Sequence, residues 1–446
     1  MNNVVSPSPS PTPTQSSSTV AGNYFISNYP PFSFWSEEQK VDVEVALNSE
    51  PTGAKLGVYH HIPFCRKRCH FCYFRVYTDK NAKDIQNYLD ATMAEFRSLA
   101  QRPLIRGRKP YFVYFGGGTP SYLSARQLTE LTDTMKSILP WDEAREVAFE
   151  CEPGTLNPGK LTAIKEIGVT RLSLGIENFD DHILEINGRA HRSGEVFGAY
   201  ERARAENFAQ INVDLIAGMV EETEANWQRN IEQTIALRPD SVTIYQMEVP
   251  YNTTIFKEMK AAGKLVAPVA DWQTKRRWVK EAFAALESAG YTIGSGYTAV
   301  LDPARTKFVY RDELWSGADL VGLGVASFSH AAGVHYQNLT EIDAYHAAIA
   351  AGQMPVKRAF RTSAEERMIR EFILQMKLGR VEFPYFAAKF GVDIARRFAA
   401  QLEHLAAEGM LSVSDSDIRL SRDGLLCVDT LLHEFFLPQH RTSQIV

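Results

Sequence analysis

The chain lacks several features that define common classes of protein. Its five cysteines in 446 residues are too few for a disulfide framework. It has no uninterrupted run of about 18 apolar residues, so no membrane-spanning helix is expected. Its formal charge of −5 gives no basic excess for binding nucleic acid or an anionic membrane. The first residues show no basic region followed by an apolar core, so we expect no secretory signal and a cytoplasmic protein.

Composition divides the chain into five predicted segments. The first is uncharged and rich in proline and serine, the second is aromatic, and the third alternates short apolar runs with amphipathic stretches. We predict a disordered tail at 1–22, an aromatic N-terminal arm at 23–54, a barrel at 55–300, barrel-extending strands and loops at 301–362, and a winged-helix-like domain at 363–446.

The central part of the chain repeats a strand followed by a helix six times. The predicted strands are Lys55–His60, Tyr111–Phe115, Glu146–Glu150, Thr170–Leu174, Ile211–Ile216 and Ser241–Gln246. Such repeats form a parallel sheet with helices outside it, so the fold class is α/β. Six units fit a partial (β/α)6 barrel of the TIM type, and a doubly wound open sheet is the competing architecture. In both, ligands bind at the carboxyl ends of the strands.

Three cysteines follow the first predicted strand with the spacing C-x3-C-x2-C. They are Cys65, Cys69 and Cys72, and the residues between them are mostly basic, which indicates an exposed loop rather than a core. A structural zinc site would need a fourth protein ligand. Three thiolates in a short loop instead match a 4Fe-4S cluster that leaves one iron open to an external chelating ligand. Cys151 and Cys427 are expected in the core.

Polar residues and glycines follow the other strands. The second strand ends in Gly116–Gly118, where the backbone can approach a ligand closely. Glu150 ends the third strand and Glu177 follows the fourth. Arg189 is expected in a helical stretch, and Asp214 is an acid inside an apolar strand. A buried charge needs a partner. Two interpretations follow: these polar residues contact a ligand, or Arg189 forms an internal ion pair with one of the acids.

The segments YHHIPFCRKRCHFC, FGGGTPSYL, FECEPGTL, RLSLGIENFDDHILEINGRAH and NVDLIAGM occur in this order. Together they resemble the radical S-adenosylmethionine (SAM) superfamily and, more narrowly, the oxygen-independent coproporphyrinogen III oxidase family. The resemblance implies a partial barrel with a C-terminal domain. It also implies that a reduced cluster cleaves SAM to a 5′-deoxyadenosyl radical, which abstracts hydrogen from an unactivated carbon.

The resemblance assigns roles to individual residues of this chain. It implies that Cys65, Cys69 and Cys72 hold the cluster. Tyr59 and Glu177 occupy the positions expected to act in catalysis, although relatives of this family usually have glutamine at the position of Glu177. The residues expected to bind SAM are Tyr59, Gly117, Gly118, Thr119, Glu150, Arg189 and Asp214. Because some relatives bind a second SAM, these contacts are expected with one or two SAM molecules.

Three functions are consistent with this resemblance. Phe74 stands where coproporphyrinogen oxidases have a fourth cysteine, and the N-terminal arm does not match the substrate-gating segment of those oxidases. We therefore favour radical methyl transfer or cyclopropanation, with a second SAM as carbon donor. The alternatives are oxidative decarboxylation of coproporphyrinogen III and non-catalytic haem carriage by a chaperone. The expected partners are a tetrapyrrole or other unsaturated small molecule and an electron donor such as flavodoxin or ferredoxin, with no nucleic acid.

Overall fold

The computed structural model describes residues 18–441, and most of the predicted tail at 1–22 lies outside them. The strands are β1 (Leu56–Ile62), β2 (Pro110–Gly117), β3 (Glu146–Cys151), β4 (Arg171–Glu177), β5 (Gln210–Ala217), β6 (Ser241–Gln246), β7 (Thr292–Ile293), β8 (Thr298–Val300), β9 (Asp319–Leu323), β10 (Phe328–Ala331), β11 (Val334–Asn338), β12 (Val356–Arg361), β13 (Arg380–Glu382), β14 (Leu411–Val413) and β15 (Asp417–Leu420).

The helices connect and cover these strands. They are α1 (Lys40–Leu47), α2 (Ala82–Ala100), α3 (Ala125–Ile138), α4 (Pro158–Glu166), α5 (Asp181–Ile186), α6 (Ser193–Ala205), α7 (Glu224–Leu237), α8 (Thr254–Ala261), α9 (Trp272–Ser288), α10 (Val309–Trp315), α11 (Ile342–Ala350), α12 (Ala364–Met376), α13 (Phe383–Phe390), α14 (Ile394–Arg397), α15 (Ala399–Ala407), α16 (Arg422–Leu426) and α17 (Val428–Leu431).

Strands β1 to β6 pair in sequence order and in parallel, and they form the partial barrel that the sequence predicts. The six predicted strands match β1–β6 with small differences at their ends. The sheet continues on one side as β9-β10-β11-β12 and on the other as β8-β7, and between residues 18 and 441 no pairing joins its two edges. The barrel is therefore open, and the carboxyl ends of β1–β6 lie along one rim.

The strands of the barrel are buried on both faces, because helices cover the outside. β1 is almost continuously buried over Leu56–Ile62, and the buried faces of α2, α3 and α7 pack against the sheet. Local sequence signals fix where these helices begin. Ser124 forms a capping box with Gln127 at the start of α3, which satisfies backbone donors that have no partner inside the helix.

The C-terminal part of the chain forms a second, smaller unit with its own apolar core. Helices α12, α13 and α15 pack around the antiparallel sheet β13-β15-β14, which gives the winged-helix-like arrangement that the sequence predicts. None of the helices within the described range has the length and apolar character needed to cross a bilayer.

The N-terminal arm connects the two units. The backbone of Ser36 pairs with Ala359 of β12, and α1 packs against β11 and β12. Farther toward the N-terminus, the amide of Gly22 donates to the carbonyl of Val249 at 3.0 Å. The arm thus runs from the extended edge of the sheet to the rim where β6 ends.

A buried carboxylate joins α2 to the strands that extend the barrel. Glu95 is 1% exposed and accepts hydrogen bonds from the Gly324 amide (2.8 Å), the Asn338 amide group (2.6 Å) and the Tyr345 hydroxyl (2.5 Å). Burial raises the pKa of Glu95 to about 7, although these hydrogen bonds oppose the shift. Folding therefore favours the protonated carboxyl.

This shift predicts a specific dependence of stability on pH. Because the folded pKa of Glu95 lies above its unfolded value of 4.5, the wild type should lose stability as pH rises from about 5 to about 7. Glu95→Gln cannot ionise. Its free energy of unfolding, relative to that of the wild type, should therefore rise by about 2–3 kcal/mol between pH 5 and pH 8. Urea denaturation at each pH measures both free energies. Glu130→Gln, on the exposed face of α3, is the control, and an equal pH response in both variants would contradict the prediction.

Candidate functional site

A cavity of about 730 Å³ lies at the rim formed by the carboxyl ends of the barrel strands. Its lining includes residues that follow β1, the end of β2, the ends of β3 and β4, the middle of β5 and the end of β6. This volume is within the range of small-molecule sites, about 300–1,000 Å³. All of the candidate site residues except Tyr59 line this one cavity.

The three cysteines of the motif lie in the loop after β1 and face the cavity together. The Thr119 hydroxyl donates to the Cys65 sulfur at 3.3 Å, and Nη1 of Arg189 donates to the Cys69 sulfur at 3.3 Å. Burial raises the pKa of Cys65 to about 11 and that of Cys72 to about 12. Ionised thiolates here therefore need nearby positive charge, which bound iron supplies.

The spacing of the thiols distinguishes between two kinds of metal site. Residues 18–441 contain no group of three His, Cys, Asp or Glu side chains close enough to hold a single metal ion. A cluster of several irons needs a wider triangle, since each thiolate reaches a different iron. Three thiols in one loop match the protein ligands of an iron–sulfur cluster that leaves one iron open.

Backbone contacts hold the cysteine loop at both ends. The Cys65 amide donates to the Tyr77 carbonyl at 3.1 Å, and the Tyr77 amide returns a bond to the Pro63 carbonyl at 2.7 Å. In the middle, the amide of His70 donates to the carbonyl of Asn187 at 3.0 Å. The loop is fixed in place by β1, its own return segment and the turn after α5.

Close backbone contacts require glycine at the end of β2 and directly after it. The Gly118 amide donates to the Ile62 carbonyl at 2.8 Å, and a Cβ at Gly118 would lie 2.8 Å from that same oxygen. Gly117 has a φ of +111°, and a Cβ there would collide with the ring of His61. Only glycine lets the end of β2 lie this close to the start of the cysteine loop.

Two carboxylates lie deeper in the cavity, each held by neutral donors. Glu150 accepts from the Tyr114 hydroxyl at 2.6 Å and from the Gly117 amide at 3.1 Å, and burial raises its pKa to about 7. Asp214 accepts from the Ser173 hydroxyl at 2.7 Å, and burial raises its pKa as well. Neither is paired with Arg189, so the internal pairs Arg189–Glu150 and Arg189–Asp214 do not form.

Arg189 pairs instead with Glu177, whose Oε1 lies 3.7 Å from its Nη1. It also donates to the Gly175 carbonyl. Arg189 follows α5 in a loop, so its expected place in a helix is wrong. Glu177 has a φ of +67°, a conformation that costs an ordinary residue about 1–2 kcal/mol. Burial raises the pKa of Glu177 to about 7, against the effect of Arg189. The strained backbone keeps this carboxyl inside the cavity.

A further ion pair, absent from the sequence-based expectations, ties the cysteine loop to β3. Arg66 donates two hydrogen bonds to Glu152, at 3.0 and 2.8 Å, and Nδ1 of the buried His191 lies 3.2 Å from the same carboxylate. Burial alone would raise the pKa of Glu152, but the bonds from His191 and Arg66 lower it to about 2. The GRAH segment carried the only sequence signal for His191, a histidine two residues after Arg189.

Tyr59, Cys151 and Cys427 differ in how they relate to the cavity. Tyr59 packs against the cavity-lining Tyr114, with ring centroids 5.9 Å apart, and its hydroxyl meets Nδ1 of His61 at 3.1 Å. Cys151 is buried as expected. Cys427, expected in the core, instead lines the cavity. The chain forms two short helices here, α16 and α17, and Cys427 lies between them.

Comparison with known proteins agrees with this geometry. A family model described as the radical SAM superfamily matches residues 59–233, and one described as the HemN C-terminal domain matches residues 362–427. The HemN coproporphyrinogen III oxidase of Escherichia coli, whose solved structure is described as a radical SAM enzyme, superposes with a TM-score of 0.80 at 22% identity. That match covers 94% of this chain and 99% of the other, and it supports the fold.

Sequence relatives carry two kinds of name. The heme chaperone HemW of Bacillus subtilis is 29% identical over 375 residues, covering 83% of this chain and 96% of that protein. The oxygen-independent coproporphyrinogen III oxidase of Pseudomonas aeruginosa is 26% identical over 421 residues, covering 90% of each chain. The same-named protein of Synechocystis is 26% identical and covers 92% of this chain. These relatives do not support the methyl-transfer branch favoured above.

The cysteine assignment predicts which thiols hold iron. Cys69→Ala should lose most of the iron and sulfide and the broad absorption of the reconstituted cluster, because one of its three protein ligands is removed. Cys151→Ala is the matched control, since its sulfur is buried on the core side of β3, and it should keep wild-type iron content. Iron and sulfide analysis after anoxic reconstitution measures both. Equal iron in the two variants would disprove the assignment.

Proposed function

Because a radical SAM family model matches residues 59–233 and a HemN C-terminal model matches residues 362–427, we propose that this chain is a radical SAM enzyme that removes a hydrogen atom from a side chain of a tetrapyrrole-type substrate. One observation carries the proposal: three thiols, a buried arginine and buried carboxylates line one cavity at the rim of the barrel. The oxidase names of the relatives support the substrate class.

The residues of the cavity suit the two cofactors of this superfamily. Cys65, Cys69 and Cys72 would hold a 4Fe-4S cluster, with Thr119 and Arg189 donating hydrogen bonds to two of the sulfurs. Such charge-assisted bonds favour the thiolate form. When bound, the cluster and SAM together supply a carbon radical able to remove hydrogen from an unactivated carbon.

The second set of residues would hold SAM, which carries an amino group, a carboxylate and a sulfonium. Glu150, Glu177 and Asp214 offer acceptors to its cationic groups, and Arg189 offers a donor to its carboxylate. Burial keeps the pKa of Glu150 and Glu177 near 7, so a cationic ligand would favour their charged forms. These residues are already oriented by the Tyr114 hydroxyl and the Gly117 amide on Glu150 and by the Ser173 hydroxyl on Asp214.

The N-terminal arm forms part of the cavity wall and would help to exclude water from this chemistry. Tyr24 and Phe25 both line the cavity. The Tyr24 amide donates to Glu248 at 3.0 Å, and the Ile26 amide donates to Asp429 of the C-terminal unit at 2.9 Å. A carbon radical reacts with whatever it meets, so the wall that the arm adds suits radical chemistry.

Haem carriage is the second candidate, and it is favoured by the 29% identity with HemW. The HemW alignment covers 83% of this chain, whereas the two oxidase alignments cover 90% and 92%. The HemW alignment nevertheless spans 96% of HemW, so these coverages do not separate the two classes. Methyl transfer rests on two departures from the oxidase pattern, Phe74 in the place of a fourth cysteine and the unmatched N-terminal arm. It is distinguished by its second product from SAM.

We predict that the anoxically reconstituted and reduced protein releases 5′-deoxyadenosine in proportion to an added tetrapyrrole. The panel is coproporphyrinogen III, coproporphyrin III, mesoporphyrin IX and haem, with SAM in excess, and chromatography measures the SAM fragments. At least one member should raise release about tenfold or more over the substrate-free rate. Asp214→Asn should lower this release because a SAM acceptor is weakened, while Asp133→Asn on the exposed face of α3 should not.

Each other outcome identifies a different function. Tight haem binding without 5′-deoxyadenosine would favour the chaperone. S-adenosylhomocysteine formed together with 5′-deoxyadenosine would favour methyl transfer. Absence of release with every tetrapyrrole, in protein with a full complement of iron, would overturn the proposal.

A further inference from the structure

A second cavity, of about 160 Å³, lies at the amino ends of the barrel strands. We call it the amino-end pocket and define it by six of its lining residues, Arg171, Ser241, Thr298, Thr306, Lys307 and Arg311. Arg171 begins β4 and Ser241 begins β6, so the pocket lies at the end of the barrel opposite the cysteines. It is smaller than sites for drug-sized molecules, at about 300–1,000 Å³, and suits an ion or a very small metabolite.

Arg171 lies between this pocket and the larger cavity, and it lines both. It is 3% exposed. Its Nη1 donates to Oε1 of Gln210 at 3.0 Å, and its Nη2 donates to the Ser241 hydroxyl at 3.3 Å. The ring of Phe308 covers one face of the guanidinium, with its centroid 4.4 Å from Cζ. A guanidinium has five N–H donors, so these contacts leave donors of Arg171 without a partner among residues 18–441.

No carboxylate within the described range forms an ion pair with Arg171. Its charge acts on Glu146 and Asp214 from beyond ion-pair distance and lowers the pKa of each. Glu146 accepts instead from the amides of Val309 and Tyr310, at 3.0 and 2.9 Å. Burial nevertheless raises the pKa of both carboxyls overall, so neither supplies a full negative charge. A buried cation without a close counter-ion is costly, and a bound anion would reduce that cost.

The other charged groups leave the pocket positive. Arg311 pairs with Asp312, whose Oδ1 lies 2.8 Å from its Nη2, and it donates to the Thr298 hydroxyl at 3.0 Å. Lys307 is exposed and forms no ion pair with a described residue. Among the described residues, three basic side chains and one acid line the pocket, which leaves an excess of two positive charges. This excess belongs to Arg171 and Lys307.

Neutral donors add to the lining of the pocket. Thr306 is 7% exposed, and its hydroxyl has no hydrogen-bond partner between residues 18 and 441. Hydroxyl and guanidinium groups are donors that proteins use to bind oxyanions. A cation would be repelled here, and an apolar ligand would leave these donors unpaired. The lining therefore selects a small anion with several acceptor oxygens.

We propose that the amino-end pocket binds one small oxyanion, a phosphate or a carboxylate, between Arg171 and Lys307. Both groups present oxygen pairs that a guanidinium can engage through two parallel hydrogen bonds. The site is separate from the radical chemistry proposed above, because the three thiols of the cysteine loop line the other cavity. An anion that binds only the folded chain would also stabilise it.

Thermal unfolding of the cluster-loaded, full-length protein tests the proposal. Inorganic phosphate and malonate are titrated separately to about 20 mM, with sodium chloride added so that every sample has the same ionic strength. At least one of the two anions should raise the unfolding midpoint until it saturates, whereas chloride alone should not. A response to phosphate alone identifies a phosphate site, a response to malonate alone identifies a carboxylate site, and responses to both show the shared oxyanion chemistry.

Variants assign the binding to this pocket. Arg171→Gln should weaken the apparent affinity about tenfold or more, since it removes charged donors. Lys307→Gln should weaken it about two- to fivefold, as expected for a more exposed charge. Lys307 does not line the larger cavity, so its effect separates the two sites. Lys357→Gln is the matched control and should bind like the wild type, because Lys357 is exposed on β12 and lines neither cavity.

Arg171→Gln also removes the bonds to Gln210 and Ser241, so circular dichroism must show that it folds. If it does not fold, Lys307→Gln and Thr306→Val decide the question, and Thr306→Val should weaken binding about twofold or more because it removes one donor.

No stabilisation by either anion, wild-type affinity in a folded Arg171→Gln or in Lys307→Gln, or an equal loss in Lys357→Gln would overturn the proposal. None of these readings depends on SAM or on turnover. Failure of the proposed function therefore leaves this test unaffected.

Discussion

The site depends on the close contact between the backbone after β1 and the backbone at the end of β2. The Gly118 amide reaches the Ile62 carbonyl, and no Cβ fits between them. This contact places the loop with Cys65, Cys69 and Cys72 over the barrel rim, with Thr119 beside the first sulfur. A side chain at residue 118 would push the two strand ends apart and separate the thiols from the carboxylates on β3 and β5. Backbone geometry, more than any side chain, therefore brings the chemistry together.

Buried charge is the second constraint, and the chain satisfies it with few direct ion pairs. Glu150 and Asp214 are held by hydroxyls and an amide, and their raised pKa values show the cost of leaving them without a cation. Glu152, in contrast, has Arg66 and His191 and stays ionised. The paired carboxylate fixes the cysteine loop, while the unpaired ones remain available to a cationic ligand. The difference separates residues that maintain structure from residues that await a partner.

Much of this arrangement follows from local sequence pattern. The six strands, their parallel order and the helix that begins at Ser124 were predictable because each depends on hydrophobic periodicity or on capping within a few residues. Three features were not predictable from local pattern. They are the place of Arg189 in a loop, the exposure of Cys427 to the cavity and the ion pair between Arg66 and Glu152. Each depends on contacts between segments far apart in the chain, and no local signal reports such contacts. The predicted domain boundaries and the roles assigned to single site residues remain predictions.

The two halves of the cavity have different origins in the chain, and this bears on how relatives differ. The half with the cysteines is built from consecutive β-strand ends, so it is determined by the barrel itself. The other half combines the arm, α9 and the turn near Asp429, and the Ile26–Asp429 bond joins residues 403 positions apart. Segments so distant can change independently without disturbing the barrel. Two chains that share the cysteine half can therefore act on different molecules, and similarity across the barrel alone determines the type of chemistry but not the substrate.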